Sequence, residues 1–292
     1  MAQLTSARTG PKARTSGHGN RPRRQVRWWR GAVLLLAGVY FLVPLAAAGY
    51  FSIDDPKGFS FEAYTGLLSA PGFLDSLWLT LGLAVVTVLV LLLLLVPALI
   101  AVRLGSPKLR PVIDVLCTLP LVVPPVALTA GLIGVLRWGP DYLMDTPFFQ
   151  TFVFVQDPDF PLVLVIAYVL MSLPLAYRAI DAGLRAVDVR TLVEAARNCG
   201  ASWPRAVFTV VLPNLRGALL NASFLTLALV LGEFTAASIL GYQPFPVWIY
   251  SVGNSQAHMS VAVSILSLLI TWLLLLLLAT VGRERRHRTT TS

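Results

Sequence analysis

The chain has 292 residues, 56% of them hydrophobic and only 13% charged, with a formal net charge of +9 and a mean hydropathy of +0.74. A soluble domain is about a quarter charged, so this composition excludes an ordinary soluble protein and points to an integral membrane one. The basic residues flank apolar runs and form no aromatic-interleaved patch, which fits topology and membrane lipid, not nucleic acid, as what the charge serves.

A segment in hydrocarbon must satisfy its own backbone, so apolar runs near 20 residues read as helices, and the alternating pattern of a membrane barrel is absent. Residues 1–30 carry eight arginines and lysines and no acid among Ser, Thr, Gly and Pro. This composition predicts a disordered tail. Trp28 and Trp29 then stand where an interfacial pair would anchor a helix. A first span is expected over 31–50, too long for a cleaved signal segment. A polar loop precedes span two at 73–102, whose leucines Leu91 to Leu95 read as lipid-facing. Span three is expected over 111–136, kinked by Pro120, Pro124 and Pro125, since proline removes a donor. The kink serves either packing or irregular backbone along a pathway. An aromatic, acidic loop over 137–160 leads to span four at 161–177. A polar stretch, 178–215, separates it from span five at 216–240, which contains Glu233. The loop 241–260 is apolar but broken by two prolines and is expected to dip partly into the membrane. Span six covers 261–281, and 283–292 form a second basic tail.

Six spans put both termini on one side. Of 23 basic residues, 21 then fall on that side and only Lys57 and Arg137 on the other, where eight acids lie. The positive-inside rule makes the termini cytoplasmic. The two cysteines, Cys117 and Cys199, fall on the same side, where thiols stay reduced. The histidines, His18, His258 and His287, read as tail and loop residues. No metal site, phosphate-binding loop or nucleophile–base pairing is present in the pattern, so neither a catalytic residue nor a cofactor is expected.

Within 178–215, Leu184, Val187, Leu192, Ala195 and Ala196 recur at helical spacing. Gly200 is placed to stop that helix, Ser202 to cap another and Pro204 to sit in its first turn. A helix, a glycine turn and a short second helix are therefore expected against the inner surface. Ala195 and Ala196 would allow close approach of another surface, and Glu194 would offer it a carboxylate. Docking into a partner's groove and packing on its own domain both fit that pattern.

Glu194-Ala195-Ala196, three residues, Gly200, nine residues, Val210, one residue, then Leu212-Pro213 resembles the EAA loop of permease subunits of binding-protein-dependent ABC importers. Val210 stands where that family usually has isoleucine. The resemblance implies an all-α type I importer permease of six transmembrane helices, with residues 31–282 as the membrane domain. It implies two separate ATPase subunits that grip Glu194, Ala195, Ala196, Gly200, Ala201, Leu212 and Pro213. It also implies a second permease, same or homologous, an extracytoplasmic binding protein, and a place in a bacterial inner membrane. A secondary transporter and a membrane scaffold are the rival readings.

Glu233 is costly inside a span and must meet a polar partner or a cavity. A bond between helices and a gate or cation contact both stay open. With Pro124 and Pro125 it forms the candidate pathway set. "LGEFTAAS" followed by "PFPVWIY" resembles the branch serving polyamines, ferric iron, thiamine and oxyanions. The outer acids and Glu233 lean the expectation towards spermidine or putrescine.

Overall fold

The computed structural model describes residues 28–55, 58–105, 107–254 and 256–283. The tails before Trp28 and after Arg283, and Lys57, lie outside the described residues. The chain divides into two compact units, Met1–Ala46 and Ala47–Ser292.

The first unit contains most of helix α1 (Trp28–Ile53), whose Leu34, Leu35 and Leu36 are all exposed, as a helix sheathed by lipid would be. In the second unit a two-strand ribbon follows, β1 (Asp54–Asp55) against β2 (Gly58–Phe59). The longer helices are then α2 (Phe73–Leu104), α3 (Arg110–Thr118), α4 (Pro125–Tyr142), α5 (Phe149–Val155), α6 (Leu162–Ala186), α7 (Val189–Asn198), α8 (Trp203–Leu231), α9 (Thr235–Leu240), α10 (Phe245–Gly253) and α11 (Ala257–Arg283).

Among the described residues, five helices are long and apolar enough to cross a membrane: α1 from Gly31, α2, α6, α8 and α11. The expected third span is not one kinked helix. It is two, α3 and α4, joined through a tight turn at Leu119–Leu121 and bent by 104°. The reason lies in the tandem prolines. A proline disfavours helical backbone in the residue before it, and Pro124 is accordingly extended, with ψ 143°, while Pro125 opens α4. The bent pair still accounts for a crossing. Arg103, near the end of α2, pairs with Asp181, near the end of α6, at 2.8 Å. At the other end Gly82 of α2 lies against the ring of Phe160, which precedes α6. Two parallel spans require an odd number of crossings between them, and α3 with α4 supplies it.

The core is α2, α6 and α8 packed together, with α11 against α8. In α2, Leu83, Ala84, Thr87, Leu91, Leu95 and Leu99 recur every three or four residues and are buried, so they form one stripe. The leucine run is therefore split: Leu91 and Leu95 face the bundle, Leu93 and Leu94 face outward. Between α6 and α8 the backbones nearly touch, because a Cβ on Gly183 would overlap that of Ala218. Small residues at a crossing permit such approach in a membrane, where van der Waals packing drives association.

A second, smaller core closes the opposite end. Phe73, Phe245 and Trp248 pack as a trio at ring separations of 5.6 to 5.9 Å. The Phe245 amide donates to Thr80 Oγ1 at 2.7 Å, and the Trp248 indole donates to the Pro71 carbonyl at 2.9 Å. The proline-broken loop thus contains a helix, α10, packed on α2 and α11.

Candidate functional site

The polar stretch 178–215 is shorter as a loop than its composition suggests. α6 continues through Arg178, Asp181 and Arg185 to Ala186, and the next span begins at Trp203 rather than near 216. Charge made 178–186 read as loop. In the fold, Asp181 is buried and ringed by Arg103 at 2.8 Å, Arg185 at 2.6 Å and Arg110 at 3.6 Å. These pairs tie the ends of α2, α3 and α6 together. Only long-range contacts reveal them; the one local signal is the i, i+4 spacing of Asp181 and Arg185.

The connecting segment is α7 with its two flanking turns. Its helix does not begin at Leu184, which belongs to α6. Asp188 caps it: Oδ1 accepts from the Thr191 amide at 3.2 Å and Oδ2 from the Thr191 hydroxyl at 2.6 Å. These bonds hold the exposed Asp188 carboxyl below its ordinary value of 3.8. At the far end Gly200 adopts φ +86°. Its amide donates to the Arg197 carbonyl at 2.9 Å, and the Ala201 amide to the Ala196 carbonyl at 3.0 Å. The pair of bonds is a Schellman motif, which explains why glycine stands there. Ser202 holds the cap position of α8 by its backbone, but its hydroxyl makes no capping bond.

α8 then runs unbroken into the membrane span through a π-helical turn, Val207–Val211, just before Leu212 and Pro213. A proline ring clashes with the carbonyl four residues earlier, here that of Thr209, and a locally wider turn gives it room.

The candidate residues divide by face. Val189 and Val193 are buried, with Ala196, Ala201 and Leu212 partly buried against the core. Glu194, Ala195, Gly200 and Pro213 are exposed. Glu194 is held by Arg190, one turn away, at 3.0 Å. The outward surface is therefore a small-residue face of Ala195 and Gly200 beside one oriented carboxylate.

Glu233 lies elsewhere. It sits not within a continuous span but in a break between α8 and α9. Its carboxylate is 7% exposed and accepts the Ala236 amide, at 3.0 Å from Oε1 and 3.2 Å from Oε2. The positive end of α9 thus receives a negative cap. The buried Tyr168 hydroxyl neighbours this carboxylate without reaching hydrogen-bond geometry. Pro124 and Pro125 are exposed, and the helix that Pro125 opens, α4, packs against α9. The helices that follow the two breaks, α4 and α9, are packed together; the loop face of α7 is a separate surface, at the opposite end of α8. Among the described residues, no cluster of His, Cys, Asp and Glu could hold a metal.

Residues 94–285 match the family described as "Binding-protein-dependent transport system inner membrane component". The chain is 36% identical over 140 residues to the molybdenum transport system permease protein ModB of Escherichia coli strain K12, covering 42% of this chain and 58% of that relative. It thus spans under two thirds of the Escherichia coli protein's length. It is 31% identical over 227 residues to a probable molybdenum ABC transporter permease protein of Haloferax volcanii, covering 76% of this chain and 78% of the relative. In fold it is similar to a bacterial ABC transporter involved in import of the acidic polysaccharide alginate, with TM-score 0.69 and 16% identity over 88% of this chain and 96% of that one. The lean towards spermidine or putrescine is not supported: both sequence relatives are named for molybdenum, and Glu233, half of its basis, is engaged by the Ala236 amide of α9. The secondary-transporter and scaffold readings also give way. The chain belongs to the family of binding-protein-dependent ABC importer permeases, multi-pass membrane subunits that are not themselves enzymes.

Proposed function

We propose that this permease forms, with a second copy or a homologue, the membrane path for a small oxyanion of the molybdate class. The name of the relatives supports the substrate class. Glu233 does not stand against it: its carboxylate is turned to the Ala236 amide at the start of α9, where the helix end offsets part of its charge.

One observation carries the coupling role: the Schellman turn presents Ala195 and Gly200 outward beside Glu194. A partner's groove can approach such a face closely, and the carboxylate offers it a charge-assisted bond. In this reading Glu194, Ala195 and Gly200 meet the ATPase, and Ala196, Ala201, Leu212 and Pro213 fix the angle at which α7 meets α8. ATP-driven movement of α7 then reaches α2, α3 and α6 through Asp181. In this reading this end lies in the cytoplasm, which the positive-inside distribution of basic residues supports, and a binding protein delivers the anion at the other. Uptake by proteoliposomes containing the two permeases, the ATPase and the binding protein tests the substrate. ATP-dependent accumulation of molybdate, with none of spermidine, is the expected result. Accumulation of spermidine but not molybdate would overturn it.

A further inference from the structure

Arg178 lines an open groove of about 420 Å³ between α3 and α6, with Arg185, Asp181, Tyr177, Val115 and Asp114. A second cavity of about 210 Å³ adjoins it through Tyr177 and Asp181 and is lined by Arg103 and Arg110. Four arginines therefore face two aspartates, a local excess of two positive charges. Asp181 is shared by three of the arginines. Each guanidinium has five donors, so most of theirs remain unused. The Arg178 side chain has no ion pair or hydrogen bond among the described residues. Asp114 contributes the reverse: its Oδ1 is buried and has no hydrogen-bond partner among the described residues. Unpaired donors and an unpaired acceptor thus stand in one crevice, whose other lining is Val115, Tyr177, Ala182 and Thr118, the last with its hydroxyl donated to the Asp114 carbonyl.

We propose that this groove binds a phospholipid headgroup, its phosphate on Arg178 and Arg185 and a headgroup hydroxyl or ammonium donor on Asp114. Arg178 and Arg185 are seven residues apart, two turns on the same helix face and roughly 10 Å along the axis, a span that two long side chains can close on one phosphate. The apolar lining by Val115 and Ala182 suits the acyl end of a lipid better than a free anion. The location also fits, because basic crevices between helices at the inner boundary attract lipid headgroups. Bound there, the lipid would brace α3 against α6 beside the Asp181 tie. Phosphatidylcholine, which has a phosphate but no donor, should bind poorly, whereas phosphatidylglycerol and phosphatidylethanolamine should bind well.

The test is native mass spectrometry of the full chain taken from bilayers containing equal phosphatidylglycerol and phosphatidylcholine, with and without inorganic phosphate. Wild type should retain phosphatidylglycerol on the order of tenfold over phosphatidylcholine. Arg178→Gln should abolish the preference, and Arg178→Lys should restore much of it. The Arg178 side chain has no partner among the described residues, so the thermal unfolding of these variants should be unchanged, which separates lost binding from lost fold. Asp114→Asn is the second variant and should narrow the preference over phosphatidylcholine. Equal retention of the two lipids, or a preference that survives Arg178→Gln, would overturn the proposal. Displacement of the lipid by inorganic phosphate would assign the site to a free anion instead.

Discussion

Gly200 is held at φ +86° with nothing within 4 Å of where a Cβ would stand. Any cost of replacing it is therefore backbone strain alone. Gly200→Ala should destabilise the turn by about 1 kcal/mol and weaken ATPase retention, while leaving the spans folded by circular dichroism. Asp181 is different in kind, being buried among arginines. Asp181→Ala leaves those charges uncompensated, and because the arginines are 24 to 60% exposed, so that water takes up part of the loss, the cost is about 1–2 kcal/mol. A lowered thermal midpoint in detergent checks it; an unchanged midpoint would mean the arginines find water instead. Asp188 adds a pH dependence. Its folded carboxyl titrates below 3.8, so its cap stabilises α7 above the unfolded value and is lost as pH falls through the folded one. Hydrogen exchange at the Thr191 amide should quicken in that acid range, and Asp188→Asn should remove most of the dependence. At this scale the sequence displayed Gly200 and Glu194 openly, because glycine stops and carboxylates on short helices follow local rules. Asp181's partners stayed hidden, since Arg103 and Arg110 lie more than 70 residues away in the chain.

Helix ends proved harder to read than helix existence. Charged Arg178, Asp181 and Arg185 read as loop, yet α6 extends through them because their charges pair across elements. The second short helix after Gly200 is the first part of a span, since nothing between Trp203 and Leu231 stops it. The tandem proline pattern was visible, but its consequence, a 104° bend instead of a kink, depends on Pro124 being driven into extended backbone. A topology test follows for α3 and α4. In a protein otherwise lacking cysteine, Lys108→Cys and Thr146→Cys should react with an impermeant thiol reagent from opposite sides of the membrane. Labelling from one side would mean the bent pair re-enters without crossing. The α6–α8 crossing gives a second test. Gly183→Ala should force the helices apart at a cost of about 1–3 kcal/mol, and adding Ala218→Gly should recover most of it.

Across the whole molecule the two ends do different work. One end is closed by the Phe73, Phe245 and Trp248 trio; the other combines the Asp181 tie with the α7 face. The bundle of α2, α6 and α8 joins them, and α8 carries the motif's Leu212-Pro213 at one end and the Glu233 break at the other. A tilt imposed on α7 can thus reach the neighbourhood of α4 and α9 through continuous helix. Substrate class was the least legible property, because net charge on a face follows topology as readily as it follows cargo. Co-purification of the full chain with its ATPase, as wild type and as Glu194→Lys with Gly200→Asp, tests the α7 face as the coupling surface. Wild type should retain the ATPase, and the double variant should lose it while its helical content and thermal midpoint stay close to wild type. Equal retention by the folded variant would contradict the assignment of the α7 face as the coupling surface.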